Sequence, residues 1–156
     1  MGVLRVVVDT NVLVSALISP QGAAARLLNH PVPYTLVTSA AILEELDRVL
    51  RYPRLVRRYR LTPTLVQDYL AVLAETALVV DIDPTHTVAA RGVAPDPDDD
   101  KFLACALAAD ADAVISRDFH LRGLGEFAGI PILTPEQLLA FLDAHLAPPA
   151  EESPGA

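Results

Sequence analysis

Short apolar runs alternate along this chain with longer stretches in which apolar residues recur every three or four positions. Val3 to Val8 is a β-branched run of the kind a central parallel strand makes when both its faces are buried. Val12 to Ile18 reads as a helix ending near Ser19-Pro20-Gln21-Gly22, Ala23 to Asn29 as a second short one, and Tyr34 to Val37 as a strand. Ala40 to Leu50 is the strongest helix, because Ile42, Leu43, Leu46, Val49 and Leu50 follow the 3.6-residue period. Pro53 is expected to break it. Thr62-Pro63 then opens another helix, with threonine as N-cap, proline at the first helical position, and a stripe of Leu65, Tyr69, Val72 and Leu73.

Leu78 to Ile82 predicts a strand and Asp83 to Pro97 a loop. Asp98 is the expected cap of a helix running to about Ala109, followed by strands at Ala113 to Ser116 and Ile130 to Leu133. Thr134-Pro135-Glu136-Gln137 has the form of a capping box opening a last helix to about His145. Strands that alternate with helices and show no repeat predict an α/β fold, an open, mostly parallel sheet covered by helices. Residues 1–146 read as one domain, and the Pro- and Glu-rich segment 147–156 as a disordered tail.

The 156 residues suffice for one domain with a proper core, and with 52% hydrophobic but only 5% aromatic residues, Ala, Val and Leu must fill it. The single Cys105 cannot form an internal disulfide and lies in Phe102-Leu103-Ala104-Cys105-Ala106-Leu107, so it reads as a buried thiol. The apolar N-terminal run stops at Asp9, too short for a secretory signal, and no stretch is long enough to span a bilayer, so a cytoplasmic protein without membrane contact is expected. The net charge of −8 argues against broad adhesion to nucleic acid. Its distribution changes the picture: seven of the 20 acids lie between Asp96 and Asp118, and six of the 12 Lys and Arg between Arg48 and Arg60.

Four acids carry the chemistry. Asp9 closes the first strand, where capping the next helix and function are equally good readings, and Asn11 beside it could support the carboxylate. Glu44 shares a helix face with Arg48 and Arg51 and reads as a solvated, salt-bridged residue. Glu45 instead lies between Ile42 and Val49, at the edge of the buried stripe, where a carboxylate is costly without compensation. Asp96-Pro97-Asp98-Asp99-Asp100 carries more acids than a helix start needs; Asp99 shares a face with Phe102, Leu103 and Ala106, with Asp96 and Asp100 as rivals. Asp118 follows the strand ending at Ser116, where a turn residue is equally expected. The ends of parallel strands and the starts of helices converge on one crevice. Carboxylates gathered there repel one another unless a cation neutralises them, and oxygen-only ligation points to Mg²⁺ or Mn²⁺.

These residues resemble the PIN-domain family of metal-dependent ribonucleases, which includes toxins of type II toxin–antitoxin pairs. The likeness runs from about Val3 to Leu142. Asp9-Thr10-Asn11 is similar to the family's opening motif, Ser39 to Leu46 to its second with Glu45 in the acidic position, Asp96 to Ala106 to its third, and Ser116-Arg117-Asp118 to its fourth. The resemblance implies an α/β/α sandwich that hydrolyses RNA phosphodiester bonds with one or two Mg²⁺ or Mn²⁺ ions. Asp9, Glu45 and Asp99 would be ligands, Asp118 would hold a second ion or an associated water, and Asn11 and Ser116 would support them. A small antitoxin would be a partner, and the helices around Ala23 to Leu28 and Leu65 to Leu73 could form a homodimer surface. Arg48, Arg51, Arg54, Arg57, Arg58 and Arg60, interleaved with Tyr52 and Tyr59, form the one basic, aromatic-containing segment and could hold RNA; a solvated turn is the alternative.

Competing readings fit less well. A haloacid-dehalogenase-type phosphatase needs a second Asp where this chain has Asn11, and a receiver domain needs a lysine after a late strand, whereas the only lysine, Lys101, falls on a helix. The serious rival is a noncatalytic PIN-like module that binds RNA or protein.

Overall fold

The computed structural model describes residues 3–146; the predicted tail, 147–156, lies outside the described residues. Six strands form one sheet, β1 (Arg5–Val8), β2 (Thr35–Thr38), β3 (Leu78–Val79), β4 (Ala113–Ile115), β5 (Glu126–Phe127) and β6 (Ile130–Leu133), in the order β3-β2-β1-β4-β6-β5. All neighbours are parallel except β5 and β6, which form an antiparallel hairpin. Val6, Val7 and Val8 of β1 are fully buried, as a strand at the centre of a two-sided sheet requires.

The helices are α1 (Thr10–Ile18), α2 (Ala23–Leu28), α3 (Ala40–Leu50), α4 (Pro53–Tyr59), α5 (Pro63–Thr76), α6 (Pro84–Ala90), α7 (Asp100–Ala109), α8 (Phe119–Arg122) and α9 (Pro135–Ala144). The amphipathic α3 buries Ile42, Leu46 and Leu50. Helix α7 lies against β1, β2 and β4 and buries Phe102, Leu103, Ala104, Cys105, Ala106 and Ala109. Cys105 is thus a core thiol, pushed up to about 12 by burial. The expected capping box opens α9: Thr134 accepts from the Gln137 amide, and the Gln137 side chain accepts in return from the Thr134 amide.

Several expectations need correction. Pro53 ends α3 but also starts α4 as its first residue, so the arginine-rich segment is helical rather than a turn. Asp83 to Pro97 is not a loop throughout: Asp83-Pro84 caps and opens α6, which buries only Ala90 and so shows no apolar stripe in the sequence. Strand β3 covers two residues rather than five, and both are exposed at the sheet edge. Strand β5 lies where no strand was expected, too short for an alternating pattern. Asp98 does not cap the acidic helix. Asp96 accepts from the Asp98 amide at 2.9 Å and opens a 3₁₀ turn, Pro97–Asp99, that leads into α7.

Candidate metal centre

Strand β1 has β2 on one side and β4 on the other, and the chain proceeds to opposite edges of the sheet from this pair. A crevice opens at such a switch point, beyond the strands' carboxyl ends. Asp9 and Ser116 stand there, one residue beyond β1 and β4, whose ends are joined by the Asp9 amide donating to the Ile115 carbonyl at 3.0 Å. Asp9 is 3% exposed, caps α1 by accepting from the Val12 amide at 2.9 Å, and accepts from the Ser116 hydroxyl on its other oxygen. Ser116 Oγ in turn accepts from the Asp118 amide at 2.9 Å. Ser116 therefore ties the Asp9 carboxylate to the Asp118 backbone. Asp118, partly buried, caps α8 by accepting from the His120 amide at 2.8 Å. The capping readings of Asp9 and Asp118 hold, since each accepts from an amide in the first turn of the helix that follows it.

Helix α7 precedes β4 and runs back along the sheet, so its N-terminus returns to the same carboxyl edge. Asp99 stands there 7% exposed, with Oδ2 buried and lacking a hydrogen-bond partner among the described residues. Asp100 also has one buried oxygen without a partner. Glu45 reaches the site from α3, where its side chain ion-pairs with the ammonium of Lys101 on α7. Lys101 also donates to the Asp98 carbonyl at 2.7 Å, so it ties α3 to the acidic turn.

Electrostatics show that these carboxylates share one field. Asp9 is raised to about 6, first by burial and further by the charges of Asp118 and Glu45, against the lowering effect of its Ser116 and Val12 hydrogen bonds. Asp99 is raised to about 6 by burial and by Asp118, Asp96 and Asp9, with Lys101 opposing. Perturbed acids in a crevice mark functional sites.

With this geometry in place, comparison with known proteins is informative. The PIN domain family matches residues 5–120, from the first strand through Asp118. This chain is a PIN-domain protein. An uncharacterized protein of Methanocaldococcus jannaschii is 28% identical over 124 residues, 74% of this chain and 76% of its own length. Among solved structures, the VapBC-1 complex of nontypeable Haemophilus influenzae contains a chain similar with a TM-score of 0.60 at 13% identity, over 85% of this chain and 99% of that one. A chain of VapBC2 from Rickettsia felis, bound to a promoter DNA fragment, gives 0.59 at 14% identity, over 83% and 97%. VapC20 of Mycobacterium tuberculosis, a Sarcin-Ricin loop cleaving toxin, gives 0.53 at 20% identity, over 81% and 98%. At these identities the structural likeness concerns the fold, which is the expected α/β PIN fold.

Not every residue singled out from the sequence of this PIN domain joins the cluster. Asn11 is exposed and makes no hydrogen bond to a carboxylate among the described residues. Glu44 is exposed as expected, but the ion pair on that helix joins Arg51 to Asp47 at 2.6 Å, because Asp47 is the acid one turn before Arg51. Arg48, Arg51 and Arg54 are exposed, and α4 buries no residue. Lys101 was missed as a site residue. Its sequence signal is its position, a lone lysine among four aspartates at a helix start.

A divalent ion suits the donor set: hard oxygen donors, two unpartnered buried carboxylate oxygens, and two acids raised to about 6 by burial and by neighbouring carboxylates. Among the described residues no group of three or more His, Cys, Asp or Glu side chains is placed to hold a metal ion; Glu45 is paired with Lys101 and Asp9 with Ser116. Ligation at Glu45 requires it to exchange or share Lys101.

Proposed function

We propose that this PIN-domain protein hydrolyses RNA phosphodiester bonds with one or two Mg²⁺ or Mn²⁺ ions, as the toxin of a toxin–antitoxin pair. The observation that supports this most is the buried Asp99 oxygen that no group among the described residues satisfies, in a neighbourhood where the charges of Asp118 and Glu45 act on Asp9 and those of Asp118 and Asp9 act on Asp99. Asp9, Glu45 and Asp99 are the ligands in this reading, with Asp118 serving a second ion. A bound divalent ion would supply Lewis acidity for activating water and positive charge for the phosphate. Ser116 fixes the Asp9 carboxylate and the Asp118 backbone, so the ligands are pre-set by the strand ends. Asn11 at the exposed start of α1 is placed to meet substrate rather than to hold Asp9. Arg48, Arg51 and Arg54 are exposed and are the phosphate contacts of this reading, with Arg51 having to exchange its ion pair with Asp47.

Protein partners fit the same reading. A cleft of about 460 Å³ lies between α1, α2, β2 and α5, lined by Leu28, Tyr34, Leu65, Tyr69 and Val72 among others. It suits an antitoxin segment or a second copy of the chain, because Leu65 and Val72 remain exposed. No helix among the described residues is long and apolar enough to cross a membrane, and a cytoplasmic location belongs to the proposal.

One observation favours the noncatalytic alternative. Lys101 already neutralises Glu45, as it would in a module that needs no ion. Cleavage of end-labelled single-stranded RNA separates the two. Wild-type protein with Mg²⁺ or Mn²⁺ is expected to cut, and EDTA or Asp9→Asn to abolish cutting. Absence of cleavage across varied RNAs by folded, metal-loaded protein would favour the binding module, and cleavage surviving Asp9→Asn would refute the site.

A further inference from the structure

The most exposed large apolar side chain among the described residues is not at the α5 cleft or a sheet edge. It is Phe119, 72% exposed, and it directly follows Asp118. Phe119 is the first residue of α8, whose later position Leu121 is fully buried, so the helix is anchored while its first side chain projects into solvent. An aromatic ring left in water forgoes the burial that would stabilise it.

The backbone carrying this ring is fixed to the acidic site. Asp118 receives the His120 amide on its carboxylate and gives its own amide to Ser116 Oγ, which holds Asp9. The Gly123 amide closes the short helix onto the Phe119 carbonyl at 2.8 Å, and a Cβ added at Gly123 would approach that carbonyl to 3.0 Å. The Phe119 ring also stands beside the His120 imidazole, with centroids 4.1 Å apart and planes inclined by 35°. Two adjacent aromatic rings are thereby presented on a braced turn. Exposed Arg117 and Arg122 flank them in the sequence, Arg117 with its guanidinium on Glu136 at 2.8 Å.

We infer that Phe119 is a base-stacking platform, taking the flat face of a nucleobase next to the phosphate that a divalent ion at Asp118 would hold. This rests on the ribonuclease reading and adds a substrate contact that the carboxylates cannot provide. Neighbouring Cα atoms are about 3.8 Å apart, so Phe119 stands within one nucleotide's reach of the site. Single-stranded RNA suits the platform, because its unpaired bases can splay onto aromatic rings, whereas a duplex keeps them stacked on one another. Stacking is tolerant of sequence, since every base offers a π face.

The test is binding of a short fluorescein-labelled single-stranded RNA, read by anisotropy with Ca²⁺ in place of Mg²⁺ to suppress cutting. An oligomer of the same length with abasic sugars carries the same phosphates without bases. F119A is expected to weaken binding of the RNA by about 5- to 150-fold, as loss of one stacked base does, and to leave binding of the abasic oligomer unchanged. F119Y is expected to restore affinity and F119L not to. The chain has no tryptophan, so F119W adds a single reporter at this position. Its emission is expected to be quenched by RNA and left unchanged by the abasic oligomer. Equal RNA affinity of F119A and wild type, or unchanged F119W emission when anisotropy shows the RNA bound, would overturn the inference while leaving the nuclease reading standing. Wild-type protein that binds no single-stranded RNA would overturn both, and the wild-type arm alone reveals that case.

Discussion

Lys101 sets the state of the candidate site before any ion arrives. Its ammonium lies on Glu45 and on the Asp98 carbonyl, and both side chains of the pair are about one-fifth exposed. A lysine there is a built-in countercharge for an acidic crevice, and a divalent ion must compete with it for Glu45. Lys101→Met is therefore expected to lower the melting temperature of metal-free protein while tightening Mn²⁺ binding several-fold, read from the free-Mn²⁺ resonance in a titration. Weaker Mn²⁺ binding would mean that Lys101 chiefly holds Glu45 in position. The burial of Asp99, rather than of Asp96 or Asp100, was legible because apolar neighbours three, four and seven residues later define the inward face. The capping role was not legible, because four aspartates within five positions offer equivalent side chains and only the 3₁₀ geometry selects Asp96.

At the scale of elements, the helix that carries Glu45 is held by the buried stripe beside it. Ile42, Leu46 and Leu50 are fully buried in the core. Leu46→Ala should cost roughly 2–5 kcal/mol of stability, as large-to-small changes in packed cores do, and urea denaturation measures it. A loss below that range would mean that α3 can collapse onto the cavity. Periodicity revealed α3 and α9 because each buries one stripe against the core behind a Ser or Thr cap, whereas α5 was marked by Thr62-Pro63 and buries Val66 and Leu73 while Leu65 and Val72 of its expected stripe stay exposed. Periodicity missed α4 and α6, which bury almost nothing and are marked instead by proline at the first helical position. Strand β5 pairs only through Glu126 and Phe127, and so short a hairpin carries no pattern to read.

For the whole molecule, charge and fold act against each other. The sheet topology brings acids of a chain with net charge −8 to one edge, and burial with mutual repulsion holds both Asp9 and Asp99 near 6 rather than 3.8. The folded state thus binds these protons more tightly than the unfolded chain does, so their contribution to stability falls as pH rises from about 4 to above 6. Metal-free protein should lose melting temperature across that window. Added Mn²⁺ should raise it strongly above pH 7 and little near pH 5, where protonated carboxylates no longer bind the ion. Thermal melts with and without Mn²⁺ at the two pH values check this; an equal Mn²⁺ effect at both would place the ion elsewhere.

If Asp9, Glu45, Asp99 and Asp118 form a site for divalent ions, calorimetric titration of Mn²⁺ at neutral pH reads it without any substrate. Saturable binding of one or two ions is expected for the wild type, lost or greatly weakened in both Asp9→Asn and Glu45→Gln with their folds intact. Titrations of the two variants that match the wild type, or a wild type that takes up no Mn²⁺, would contradict that assignment.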